Sequence, residues 1–234
     1  MISYIIPTMW RSLRILEMLH RYEEDDMVSE VILIDNDTTK TYDISGFKKI
    51  VYLPQEKNIY VNPAWNLGAS VAKSEYIAIC NDDITFDCKL ANKAVIDNIG
   101  DSIIGIHPES FMYMGDETYI TDGKHVGSGW GVLMYMKRSN YVMIPDEFRV
   151  WFGDDVLGLN FDSPKSLTIE MHTEMSTTSK EGFVSGVIES DINNFKVLMA
   201  KYNVRLDGPI DARLALLKIW EGGMKNDLVK LNEQ

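Results

Sequence analysis

The chain has 234 residues, 45% of them apolar and 25% charged, the profile of a globular protein long enough for one large domain with a substantial core. No apolar run approaches the roughly 20 residues that span a bilayer, and the opening MISYIIPT lacks a basic stretch and a small-residue cleavage site, so it reads as a first strand rather than a signal peptide. A formal net charge of −12 argues against broad nucleic-acid binding, which draws on Lys and Arg; the two cysteines, Cys80 and Cys88, read as reduced core thiols, and a cytoplasmic protein without membrane attachment is expected.

Ile2–Ile6 is a short apolar run closed by Pro7-Thr8, which predicts a buried strand and a turn. Leu13, Ile15, Leu16 and Leu19 predict an amphipathic helix over Ser12–Tyr22. Val31–Ile34 is continuous enough for a central parallel strand, and Ile50–Leu53 is a third strand. Pro63–Ala72 fits a helix with proline in its first turn, and Tyr76–Cys80 is a fourth strand. Alternating strands and helices predict a parallel sheet with right-handed crossovers. Beyond it, Lys89–Ile99 reads as a helix, Ser102–Ile106 as a strand, Met112–Gly127 as a loop or hairpin able to cover a site, and Gly131–Met136 as a strand. Leu167–His172 reads as a strand, and Asp191–Tyr202 and Ala212–Trp220 as helices.

Three acidic and polar clusters mark the chemistry: Asp35-Asn36-Asp37 and Asn81-Asp82-Asp83, each after a predicted strand, and Asp154-Asp155 in VWFGDDVL. Carboxylates at the C-terminal ends of buried strands lie on the rim where open α/β sheets bind ligands. Three in one domain suggest a site for a metal ion and a phosphate-bearing ligand. Each cluster taken singly also reads as a polar turn or helix cap.

The ordered pieces SYIIPTMWR, EVILIDNDTT and KNIYVNPAWNLGASVAKSEYIAICNDDITF, followed by GSGWGVLMYMKRS and IPDEFRVWFGDDVL, resemble family 2 glycosyltransferases with the GT-A fold. The resemblance covers roughly residues 1 to 175. It implies an α/β fold of GT-A type, a mostly parallel central sheet flanked by helices; with no internal repeat, low-complexity segment or clear linker, a single domain of residues 1–234 is expected. A nucleotide-sugar-binding half is expected over 1–100, an acceptor and catalytic half over 101–184, and a helical extension over 185–234.

By that resemblance Pro7 and Thr8 contact the nucleotide, Arg11 reaches a phosphate, and Asp35 with Asn36 holds the uracil or ribose. Asn58 and Asn66, in the segment that carries the next helix, and Asp82 join the donor set. Asn81-Asp82-Asp83 takes the place of the family's Asp-x-Asp metal motif, with Asn in the first position and Asp83 as main carboxylate ligand. His172 is a candidate third ligand, and such an oxygen and imidazole set suits Mn²⁺, with Mg²⁺ the alternative. Asp155 is the expected base and Asp154 its neighbour on the acceptor side; Trp130 and Trp151 offer either a sugar platform or core packing.

The implied reaction is metal-dependent transfer of a sugar, with inversion, from a nucleoside diphosphate sugar to a hydroxyl. A UDP-sugar is the favoured donor, and the acceptor is a glycan, a small molecule or modified DNA. Viral enzymes of this general type glycosylate hydroxymethylated bases, and such a member would act in the host cytoplasm. Two other readings are a non-catalytic nucleotide-sugar-binding module and a sugar nucleotidylyltransferase; the latter calls for a glycine-rich loop that IIPTMWRS lacks.

Overall fold

The computed structural model describes residues 1–40, 42–123, 130–158, 160–174, 186–187 and 189–194. Strands β1 (Ile2–Thr8), β2 (Val28–Asp35), β3 (Ile50–Pro54) and β4 (Tyr76–Cys80) alternate with helices α1 (Arg14–Glu23) and α2 (Val61–Val71). Strand β5 (Ile84–Phe86), helix α3 (Cys88–Asn98) and strands β6 (Ile103–Ile106), β7 (Tyr119–Asp122) and β8 (Leu133–Lys137) follow. Helix α4 (Gly153–Gly158), β9 (Lys165–Thr168) and β10 (Met171–Thr173) come next, and residues 189–194 are helical.

Eight strands form one sheet in the order β3-β2-β1-β4-β8-β6-β9-β7. The β3-β2-β1-β4 half is parallel, whereas β8 runs antiparallel between β4 and β6, and β7 antiparallel to β9. Because side chains alternate along a strand, β1 sends Ile2, Tyr4 and Ile6 into one apolar layer and Ile5 into the other. The first layer packs on α1 and α3 through Ile15, Met18, Leu19, Tyr22, Ala91 and Val95. The second packs on α2 and α4 through Ala64, Trp65, Ala69, Val156 and Leu157. Burial on both faces explains why Val31–Ile34 of β2 and Ile77–Cys80 of β4 read as continuous apolar runs. Cys80 and Cys88 are free and buried, as expected, and burial pushes both thiols up to about 12.

The expected strand Leu167–His172 is in fact two. Strand β9 ends at Thr168, where Ser110 Oγ takes over the next amide from Ile169 at 3.2 Å, and β10 then leaves the main sheet to pair with β5. Helix α2 begins at Val61, two residues before Pro63, because Tyr60 turns the chain at φ 69° and Asn58 Oδ1 accepts the Tyr60 N–H at 2.8 Å. The hairpin expected over Met112–Gly127 contributes β7; its last residues lie outside the described ones, as does Ala212–Trp220.

Candidate active site

The order β3-β2-β1-β4 makes chain connections leave β1 in opposite directions, so the ends of β1 and β4 flank a topological switch point, the place where open α/β sheets take ligands. Thr8 closes β1 there and donates its hydroxyl to Asp82 Oδ2 at 2.6 Å, while accepting the Trp10 N–H at 2.9 Å. Asp35 is Thr8's register partner on β2, and Asn36 N donates to Thr8 O at 2.8 Å. Pro7 pairs with Ile34 one step below, and Asn58 Nδ2 lies 3.7 Å from the Met9 sulfur. Arg11 Nη1 sits 3.3 Å from Asp37 Oδ2. The first two clusters therefore share one rim with Pro7, Thr8, Arg11 and Asn58.

The third cluster reaches the same rim through β8. Its antiparallel course brings the segment before Leu133 to the end of β4, where Asn81 N donates to Val132 O at 2.9 Å. Next to Val132, Gly131 lies against Asp154: a Cβ added there would stand 2.6 Å from Asp154 Cβ and 2.9 Å from its Cγ. Asp154 and the buried Asp155 occupy the first turn of α4, entered through Phe152 at φ 66°. With Trp10 and Tyr60, Phe152 makes three non-glycine residues in the left-handed region among the described residues, all in turns bordering this rim; such strain persists where surrounding structure enforces it.

Burial pushes the Asp82 carboxyl up to about 6; the Thr8 hydrogen bond opposes this and the neighbouring Asp83 carboxylate adds to it. In the metal-free protein, the folded state holds a proton on Asp82 that the unfolded chain has released between about pH 4 and 6. Folding stability therefore falls as pH rises through that window and levels off above it, by at most about 3 kcal/mol from this group. Thermal unfolding in chelator from pH 4 to 7 should show Asp82→Asn gaining on the wild type as pH rises. Parallel pH profiles would contradict this environment for Asp82.

Asp35 is fully buried and accepts Tyr52 Oη–H at 2.6 Å on Oδ2 and Asp37 N–H at 2.9 Å on Oδ1. Burial, then the bond to Asp35, raises the Tyr52 phenol to about 12. Asp37 is held below the usual carboxylate range, first by the Thr39 hydroxyl and also by Arg11. Tyr52→Phe would leave buried Asp35 one donor short, and urea unfolding at pH 7 should record a loss of about 1–3 kcal/mol. An unchanged midpoint would mean that the phenol does not support Asp35.

Other predicted residues stand elsewhere. Asn66 Oδ1 accepts from Tyr141 Oη at 2.7 Å and Ile144 N at 2.9 Å, and its Nδ2 donates to Ile144 O, so this amide ties α2 to the 141–144 loop. Trp130 is buried in the core, whereas Trp151 is 37% exposed beside the acidic pair. His172 is exposed, with Nε2 3.3 Å from Glu170 Oε1, on the strand beside β5; Glu174 N, two residues on, donates to Asp83 O at 3.1 Å. Among the described residues no three His, Cys, Asp or Glu side chains gather into a metal-binding group. Tyr52 and Asn62 were not foreseen, whereas Gly131 belongs to the GSGWG segment that the resemblance singled out. Asn62 is buried on α2, its N–H donating to Arg149 O at 2.9 Å and its Nδ2 to Trp151 O at 3.0 Å.

No helix of the described residues is long and apolar enough to cross a membrane. Among solved structures the chain is similar to S. aureus TarS 1-349, with TM-score 0.61 and 15% identity over 96% of this chain and 72% of that one. The TarS 1-349 complex with UDP-GlcNAc gives TM-score 0.63 at 16% identity with the same coverage, and that with UDP gives 0.63 at 15%. A longer TarS chain is covered over 43% of its length. At identity this low the likeness shows the fold alone. Among curated proteins none matches the sequence. The family model described as Glycosyl transferase family 2, whose members generally use a divalent metal, matches residues 3–140, more than half of the 234. The chain therefore belongs to glycosyl transferase family 2 and is a glycosyltransferase.

Proposed function

We propose that the protein transfers a sugar, with inversion and with a divalent metal, from a nucleoside diphosphate sugar to an acceptor hydroxyl. The observation that carries this is the gathering of Thr8, Asp35, Asp82 and Asp154 on one rim at the switch point of the sheet. A UDP-sugar is the favoured donor, supported by the similarity to TarS structures holding UDP and UDP-GlcNAc.

Pro7, Thr8, Asp35, Asn36 and Asn58 would orient the nucleotide, and Arg11, already turned toward the rim by Asp37, would meet a phosphate. Asp83 and Asn81 offer hard oxygen ligands, and the repulsion between the adjacent Asp82 and Asp83 carboxylates is of the kind a cation relieves. His172 would join them by giving up Glu170. Mn²⁺ or Mg²⁺ held there supplies positive charge against the departing diphosphate. Asp155 takes the proton of the acceptor hydroxyl as its oxygen bonds to the anomeric carbon, while the bond to the diphosphate breaks and its electron pair leaves with the phosphate oxygen. One displacement inverts the anomeric carbon. Asp154, lodged against Gly131, orients the acceptor, and the exposed Trp151 offers it an aromatic face.

A panel of UDP- and GDP-sugars with Mn²⁺ or chelator tests the reading through released nucleoside diphosphate. Metal-dependent release from one donor is expected. Binding without release would favour a non-catalytic module, and silence without binding would end the nucleotide-sugar reading. Candidate acceptors then include hydroxymethylated DNA, which the net charge of −12 disfavours.

A further inference from the structure

The buried carboxylate of Asp191 lies beyond the matched 3–140 region and outside every role assigned above. It is fully enclosed, and three consecutive backbone amides converge on it: Arg149 N donates to Oδ1 at 2.9 Å, and Val150 N and Trp151 N donate to Oδ2 at 2.7 and 2.9 Å. Among the described residues no lysine or arginine pairs with it. A run of N–H groups wrapped around one carboxylate is an anion nest, supplied here by the chain's own side chain. Three residues further along, Asn194 Nδ2 donates to Glu147 O at 2.9 Å, so the short helix grips the same segment twice.

The gripped segment leads directly into the catalytic turn. After Trp151 the chain passes through Phe152, at φ 66°, and then Gly153-Asp154-Asp155. From the other side, Asn62 on α2 holds Arg149 and Trp151 through the hydrogen bonds already described. A left-handed residue between a clamped triplet and a helix start transmits any slackening of the triplet straight to the acidic pair.

We propose that Asp191 is a positioning residue, its carboxylate fixing the 149–151 backbone so that Asp154 and Asp155 face the acceptor. This rests on the reading of Asp155 as base. Asp191 would touch neither substrate, and its loss should lower turnover while leaving the donor site on β1, β2 and β4 intact.

The test compares wild type, Asp191→Asn, Asp191→Glu and the milder Asn194→Ala for donor turnover with Mn²⁺, UDP binding by calorimetry, and amide hydrogen exchange. Asp191→Asn replaces one acceptor oxygen by an NH₂ that opposes at least one of the three N–H groups. A drop in kcat of about 10-fold or more is expected, since a displacement of about 1 Å can cost 10²-fold. KM for the donor and affinity for UDP should stay within about twofold, exchange should quicken over 149–155 and not over β1 or β4, and Asp191→Glu should restore part of kcat. If Asp191→Asn does not fold, Asn194→Ala should show the same split on a smaller scale. Unchanged kcat in the variants, or equal loss of kcat and UDP binding without rescue by Asp191→Glu, would overturn the inference. A wild type that turns over no donor would instead overturn the base assignment, and this inference with it.

Discussion

Asp155→Asn is expected to lower sugar transfer by about 10²–10⁴-fold, the usual contribution of a positioned general base, with UDP affinity nearly unchanged. The amide has the shape of the carboxyl it replaces, so the buried first turn of α4 keeps its packing and only proton acceptance is lost. The nucleotide is expected to lie along the ends of β1 and β2, held by side chains outside α4. Nucleoside diphosphate release and a UDP titration, run on the same preparation, separate the two effects. Undiminished transfer would remove Asp155 as base, and equal loss of transfer and binding would give it a structural or metal role. Product with the donor's anomeric configuration would reject the single displacement.

Gly153→Ala should be nearly as damaging for a different reason. A Cβ there would stand 2.1 Å from Asn62 Oδ1, 2.7 Å from its Cγ and 2.9 Å from Trp65 Cζ3. Asn62 cannot swing aside without breaking its bond to Trp151 O, and Trp65 is buried in the layer beneath. Relief must come from α4 moving outward, which carries Asp154 and Asp155 off the rim. We expect about 100-fold lower turnover, together with about 1–3 kcal/mol of lost stability from overpacking. Steady-state kinetics and urea unfolding on the one variant read both. Wild-type turnover in a destabilised Gly153→Ala protein would show that α4 need not sit this close to α2.

What the sequence made legible follows the physics of each segment. Strands buried on both faces have little freedom of composition, so Ile2–Ile6, Val31–Ile34 and Tyr76–Cys80 stood out, and the polar clusters marked where β2 and β4 emerge at the rim. Strands of three residues carry no such pattern: β5 and β10 exist through pairing with each other, and neither ITF nor MHT announces it. The amides divide the same way. Asn36 lies on the rim because strand register puts it there, whereas Asn66 is directed by the face of α2 it occupies, toward Tyr141 and Ile144. Tyr52 supports Asp35 through strand pairing that brings distant residues together. Asp191 was the least visible, because its partners are backbone N–H groups, which every sequence supplies alike.

The rim also has a history within each folding event. Thr8 meets Asp82 across 74 residues, and Trp151 meets Asp191 across 40. Strand β8 must come between β4 and β6 before Gly131 can receive Asp154. Each such contact holds only after the chain entropy of its loop has been lost. On the ribosome the β1–β4 half can collapse while the acidic pair is still unmade, and Asp191 is the last of these residues to emerge. Because the acidic pair is held by contacts that the β1–β4 strands do not make, a population with those strands intact can still be inactive.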